Sequence, residues 1–346
     1  MNNQPTPLRE DPISERVDSA FIYCGDAMKL YEHWPKPTCI IADGPYGLGK
    51  FPGEPLAAAA LPSWYAPHVA AWAKRAATDC TLWFWGSELS WATVHPVLDV
   101  HGWQYEETVI WDKGLAHIAG NVNSKTIRGL PVATEVAVRY SLKNFLHGVN
   151  GNLLTLKEWV RAEWQRSGLP MNRSNEACGV ANAATRKYLT QCHRWYFPPA
   201  EAMGRMAAYC ARHGRKSDRP YFSLDGTSSF DGKAWERMRS KWNHTHGMTN
   251  VWHEPPVHGR ERVKVDDGTT YLHANQKPLA LMERQVVACT DSGDVVWEPF
   301  GGLCSASLAA SQIGRRAFAA ELNPAFYRAA VVRLREALDP PQRKLA

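Results

Sequence analysis

Strand-and-helix alternation begins near residue 20 of this chain, stops near residue 150 and resumes near residue 279. Phe21–Tyr23 and Thr38–Ala42 read as strands, the second apolar throughout, as a buried parallel strand requires. A helix near Trp64–Ala77, strand Thr81–Trp85, helix Glu88–Val100 and strands Tyr105–Trp111 and Thr134–Tyr140 continue the pattern. From about 152 to 213 the periodicity is helical instead: Leu156–Ser167, Asn172–Cys178, Ala183–Thr190 and Ala200–His213. Gly168, Gly179 and Phe197-Pro198-Pro199 punctuate these segments. Residues 214–274 read as loop-rich. Helix Leu279–Thr290, strand Val295–Trp297, helix Ser305–Ile313, strand Ala317–Glu321 and helix Pro324–Ala337 then restore the alternation. Residues 1–19, polar and proline-containing, read as a loose arm; 47–53 and 113–130 read as loops. The expected fold class is therefore α/β, one domain interrupted by a helical insert.

Composition narrows the function classes. The 346 residues are 45% hydrophobic and 21% charged, which fits a globular chain rather than a disordered one. A formal net charge of +6 permits a nucleic-acid partner without demanding one. Fifteen tryptophans suit either core packing or base stacking. The eight cysteines form no C-x-x-C pair and no Cys/His cluster, which argues against a structural zinc or a disulfide framework. With no signal-like N-terminus and no apolar run of membrane-spanning length, the expected location is cytoplasmic, and no membrane partner is expected.

Two strand ends carry the chemistry. Asp43-Gly44-Pro45-Tyr46 follows Thr38–Ala42, at the strand end where open α/β sheets place ligands. A carboxylate, a backbone carbonyl and an aromatic face suit the gripping of an amino group on a flat ring; a simple Gly-Pro turn is the plainer alternative. Glu298-Pro299-Phe300-Gly301-Gly302 follows Val295–Trp297 and leads into a helix, so a ligand can approach the backbone and the helix N-terminus. Glu321, 19 residues after Gly302, ends the next strand, where an acid accepts the ribose hydroxyls of an adenosine cofactor or stands as a surface charge. Lys277, in His273-Ala274-Asn275-Gln276-Lys277-Pro278, could meet a carboxylate or begin a helix as an exposed charge.

Taken together with Cys24-Gly25-Asp26-Ala27 and Ile110-Trp111-Asp112-Lys113-Gly114, these motifs resemble the amino-methyltransferase family of DNA methyltransferases, in its β-type order. The resemblance covers residues 20–140 and 270–337. It implies a Rossmann-like methyltransferase sheet using S-adenosylmethionine and acting on double-stranded DNA as a site-specific methyltransferase, with a homodimer as a possible assembly. Asp43 and the Gly44 carbonyl would accept from the target amine, Pro45 would stiffen the loop, and Tyr46 would stack on the flipped base. Asp26, Lys277, Glu298, Phe300, Gly301, Gly302, Glu321 and Asn323 would form the cofactor site. An initial Asp favours adenine N6 over cytosine N4 as the target; a methyltransferase fold without catalysis is the alternative of another class. Two positions depart from the family pattern: Gly44 stands where proline is usual, and Cys304 where glycine is common.

The implied division is a catalytic half, 1–150, a target-recognition insert, 151–214, a loop-rich DNA-contact region, 215–274, and a cofactor half, 275–346. The insert has the outline of a helix-turn-helix, or of a helical lid. Asn182, Thr185, Arg186 and Lys187 are its candidate DNA contacts, and Arg237, Arg239 and Lys241 those of the following region.

Overall fold

The computed structural model describes residues 13–49, 53–115, 125–192, 194–265 and 270–338. Most of the expected N-terminal arm lies outside these residues, as do 50–52 and 116–124 of the two expected loops. The described end of the arm is not loose. Ser14–Val17 forms strand β1, antiparallel to β2 (Ala20–Cys24). Its polar sequence suits a sheet edge, where one flank has no partner strand.

After β3 (Cys39–Ala42) come α1 (Leu61–Arg75), β4 (Thr81–Gly86), α2 (Glu88–Val100), β5 (Trp103–Asp112) and β6 (Thr134–Leu142). The described residues of the insert form a hairpin, β7 (Phe145–His147) with β8 (Leu153–Thr155), and five helices. These are α3 (Leu156–Arg166), α4 (Arg173–Ala177), α5 (Ala183–Lys187), α6 (Ala200–His213) and α7 (Gly232–Glu236). The chain then adds β9 (Val251–His253), α8 (Leu279–Cys289), β10 (Val295–Glu298), α9 (Ser305–Gln312), β11 (Arg316–Glu321) and α10 (Pro324–Leu338).

Among the described residues nine strands make one sheet, ordered β1-β2-β11-β10-β3-β4-β6-β5-β9. The five from β2 to β4 in that order are parallel, and β6 runs antiparallel to β4. Alternation along β4 shows how both faces are covered. Trp83 and Trp85 point into the core formed with α8, α9 and α10, and Trp85 Nε1 donates to Gln285 Oε1 at 3.1 Å. Phe84 points the other way, its ring 5.0 Å from that of Tyr65 on α1. A parallel sheet needs this double cover because its strands are apolar on both sides. Eleven of the fifteen tryptophans are buried, so packing accounts for most of them.

The chain divides into two compact units, Met1–Ser141 with Lys241–Ala346, and Leu142–Ser240. The second is wider than the insert expected at 151–214. It takes in the β7–β8 hairpin and α7, and Phe222 and Trp235 sit in its core with Trp159, Trp164 and Met206. The stretch 215–274 is therefore split: its first part completes the helical core, and from Lys241 it returns to the sheet through β9, parallel to β5. Both elements are too short to show a period in sequence. Among the described residues no helix is long and apolar enough to cross a membrane, and no group of three His, Cys, Asp or Glu side chains is placed to hold a metal.

Candidate active site

Four neighbouring parallel strands end in a carboxylate. Asp26 follows β2, Glu321 closes β11, Glu298 closes β10, and Asp43 follows β3. All four line one cavity of about 640 Å³, within the size range of small-molecule sites. The row follows from topology: parallel strands bring their C-terminal ends to one edge of the sheet.

Two of the four are spent on local structure. Asp26 Oδ1 accepts from Met28 N at 2.9 Å, capping the short 3₁₀ turn that follows. Glu298 accepts from Ala306 N, Ser307 N and Ser307 Oγ at 3.0, 2.8 and 2.6 Å, tying the strand end to the first turn of α9. Burial pushes its carboxyl up to about 7. Glu321 uses backbone partners alone, Gly302 N at 2.6 Å and Asn323 N at 2.7 Å. Asn323 in turn accepts from Ala325 N at the start of α10, through Oδ1.

The turn between β10 and α9 is held tightly. Gly301 N donates to Ala320 O at 2.7 Å, and Gly302 takes a left-handed φ of +52°. A Cβ on Gly302 would come 3.2 Å from His273 Nε2, so the pair forms a cradle that side chains would fill. Cys304 also lies in the left-handed region, φ +53°, and is fully buried. The chain keeps the conformation that favours glycine there and places a small apolar side chain on it.

At the other end of the cavity Asp43 meets a lysine. Lys277, 4% exposed, donates to Asp43 Oδ1 and Oδ2 at 2.7 and 2.8 Å and to Tyr46 Oη at 3.1 Å. It also stands 3.3 Å from Glu135 Oε2, and its ammonium lies between the rings of Tyr46 and Trp85. The alternative of an exposed helix-start charge is thus excluded; the carboxylates Lys277 meets belong to the chain itself. Burial works against its charge, yet Asp43 and Glu135 hold its pKa above the ordinary lysine value. Burial pushes the Asp43 carboxyl up against the opposing pull of Lys277. Burial also opposes the charge of Glu135, but Lys277 and Lys113 hold its carboxyl below the usual range. The Lys113–Glu135 pair closes the cluster at 2.6 Å.

Glu135 was not singled out from sequence, and Lys113 stood only as one member of the Ile110–Gly114 run, with no role of its own. A single acid near the start of a strand carries no periodic signal, and a strand-end lysine does not name its partner. Tyr65 is a third addition, donating to Pro45 O at 3.0 Å. It also explains Gly44. A Cβ at that position would lie 2.5 Å from Tyr65 Oη and 2.7 Å from Phe300, whose ring is hemmed in by Trp64, His68 and Trp72. A side chain there meets these rings at the backbone, so glycine at this position reflects packing.

The candidate DNA residues are dispersed. Asn182, Arg186 and Lys187 are exposed at the single-turn α5, with Lys187 over the Tyr196 ring. Thr185 is turned inward, its hydroxyl 2.8 Å from Ser174 Oγ and donating to Met171 O. Arg237 and Arg239 are exposed in the helical unit. Lys241 belongs to the sheet unit, where Asp291 and Asp294 hold its ammonium at 2.9 and 2.6 Å.

Known proteins bear on this geometry at three levels. The DNA adenine methyltransferase YhdJ of Escherichia coli K12 is 32% identical over 93 residues, and the Type II methyltransferase M.HinfI of Haemophilus influenzae 30% over 92. Each stretch covers 27% of this chain, and they span 30% and 25% of those relatives' lengths. The cytosine-N4-specific PvuII DNA methyltransferase superposes with a TM-score of 0.52 at 14% identity, covering 93% of this chain and 94% of its own, which establishes the fold. The family model for DNA methylases, N6_N4_Mtase, matches residues 38–332, from β3 into α10. With a match across most of its length, the chain belongs to the N6/N4 DNA methylase family.

Proposed function

We propose that the protein is an S-adenosylmethionine-dependent DNA methyltransferase acting on an exocyclic amino group of a flipped base, adenine N6 in preference to cytosine N4. One observation carries this reading: a single cavity holds Asp43-Gly44-Pro45-Tyr46 at one end and Phe300-Gly301-Gly302 with Glu321 at the other. The DNA adenine methyltransferase among the relatives supports the choice of adenine.

The residues present fit the cofactor. The glycine cradle admits a ligand against the backbone, and Glu321 keeps lone pairs beyond its two amide contacts for ribose hydroxyls. His68 and His273 border the cavity, and burial lowers both to about 4, so neither adds a positive charge at neutral pH beside a sulfonium. When bound, the cofactor supplies an electrophilic methyl group. The chain must then prepare the nucleophile. An aromatic amine shares its lone pair with the ring, and acceptors on its hydrogens return that pair to nitrogen. Asp43 and the Gly44 carbonyl are the two acceptors. Tyr65 occupies the neighbouring Pro45 carbonyl and so fixes the loop. Tyr46 lines the cavity and supplies a face for the extruded base.

Exposed Asn182, Arg186 and Lys187 support a DNA-contacting role for the helical unit. Replacing Arg186 and Lys187 by alanine should weaken DNA binding and reduce its salt slope by about 1 per lost phosphate contact. The decisive test incubates the protein with tritiated cofactor and unmethylated DNA and identifies the labelled nucleoside. N6-methyladenine is expected; cofactor binding with no label entering DNA would reject the reading.

A further inference from the structure

Tyr46 Oη lies 3.0 Å from Asp43 Oδ1 and 3.0 Å from Glu135 Oε2. A phenol has one proton, so it donates to one of these carboxylates at a time while its lone pairs receive from others. Lys277 Nζ takes one lone pair at 3.1 Å. Around this link, Lys277 faces Asp43 and Glu135 from the start of α8, and Lys113 faces Glu135 from the end of β5. Glu54 Oε1 accepts from Tyr46 N and Leu48 N, and Tyr65 holds Pro45 O. Asp43 lines the cavity and Glu135 does not, so one hydroxyl joins a carboxylate on the cavity wall to one set away from it.

Methylation of a neutral amine leaves a proton to be removed. The target nitrogen forms its bond to the methyl carbon as the carbon–sulfur bond breaks, the electron pair passing to sulfur. Nitrogen then carries a positive charge and one hydrogen too many. We propose that Glu135 is the outlet for this proton, a positioning and relay residue reached from Asp43 through the Tyr46 hydroxyl; the proposal rests on the amino-methyltransferase reading above. Asp43 takes the proton from nitrogen. It passes it to the Tyr46 oxygen as Tyr46 hands its own proton to Glu135 Oε2. Asp43 and Tyr46 regain their starting states, and Glu135, 14% exposed at its side chain, delivers the proton to water. Lys277 and Lys113 remain ammonium ions. Two cations balance two carboxylates, so the proton crosses a cluster of zero net charge rather than a lone buried acid.

A purely structural Glu135 would only hold the two lysines, and the test separates these roles. Tyr46→Phe keeps the ring, and Glu135→Gln keeps the side-chain shape. In single-turnover transfer at saturating cofactor and DNA, each variant should slow methylation about 10- to 100-fold while cofactor affinity moves less than about twofold. The double variant should be no slower than the slower single, because both remove one route. Multiplicative losses, or full speed in Tyr46→Phe, would overturn the relay. A second measurement needs no turnover: the ¹³Cζ resonance of Tyr46 should shift in both Asp43→Asn and Glu135→Gln, and a shift in only one or in neither rejects the bridge. Absence of methyl transfer by the unmodified protein would instead count against the functional reading, and the tyrosine resonance would still decide the bridge.

Discussion

Asp43 and Glu321 end strands two apart in one sheet and border one cavity, yet their charges are met in opposite ways. Asp43 is met by side chains, the Lys277 ammonium and the Tyr46 hydroxyl. Glu321 is met by two backbone amides, and burial raises its carboxyl with only amides pulling it down. Side-chain partners can exchange protons and change angle; amides in a tight turn can do neither. On the proposed reading, one end of the cavity handles a proton and the other holds a ligand in a fixed way.

The largest expected effect comes from Asp43→Asn, which keeps shape and removes the charge. Methyl transfer should fall by about 10³- to 10⁴-fold with cofactor affinity little changed, measured by label incorporation and calorimetry. Equal losses in both would erase the contrast between the two ends. Lys277→Met should cost about 3–5 kcal/mol of stability in denaturant unfolding, because it leaves Asp43 without its cation while Glu135 keeps only Lys113. A cost near zero would mean that the ion cluster is solvated. Glu321→Ala should weaken cofactor binding by about 1.5–3 kcal/mol and leave the transfer rate at saturation nearly unchanged. Gly44→Ala should destabilise by about 1–3 kcal/mol through its clash with Tyr65 and Phe300. A neutral result there would show that the two ends are not in packing contact.

The smallest effect is a displacement. Protonated Asp43 loses acceptor capacity, so transfer falls as pH drops through its pKa. Because burial raises that pKa, the acid limb should lie above the ordinary aspartate range. Lys277 pulls the pKa down, so Lys277→Gln should move the limb further up; movement downward would contradict the pairing.

Much of this was legible from sequence because strong periods and strand-end motifs coincide. α2 and α6 span Glu88–Val100 and Ala200–His213 as periodicity alone predicts, and Asp43, Glu298 and Glu321 fall at strand ends as their motifs suggest. Short elements escaped: β1, β9 and α7 are three to five residues long, below any period. The partners of Asp43 escaped for another reason. Lys277 and Glu135 lie 234 and 92 positions away from it, and only the sheet order brings them together. Gly44 read only as a departure from the usual proline because its neighbours Tyr65 and Phe300 are invisible in a one-dimensional string.

The pairing of β2 with β11 sets Cys24 opposite Glu321 and Ala20 opposite Ala317, joining the first fifth of the chain to its last tenth. β11 also lies between β2 and β10, so no strand links those two until it arrives. During synthesis the cavity wall that runs from Ala320 to Phe326 is therefore the last to be added. Contacts of such high sequence separation form slowly, and until then β2 has only β1 beside it and β3 only β4. A nascent chain halted before Arg316 would thus carry Asp43-Gly44-Pro45-Tyr46 at one end of an unfinished cavity and lack Glu321 at the other.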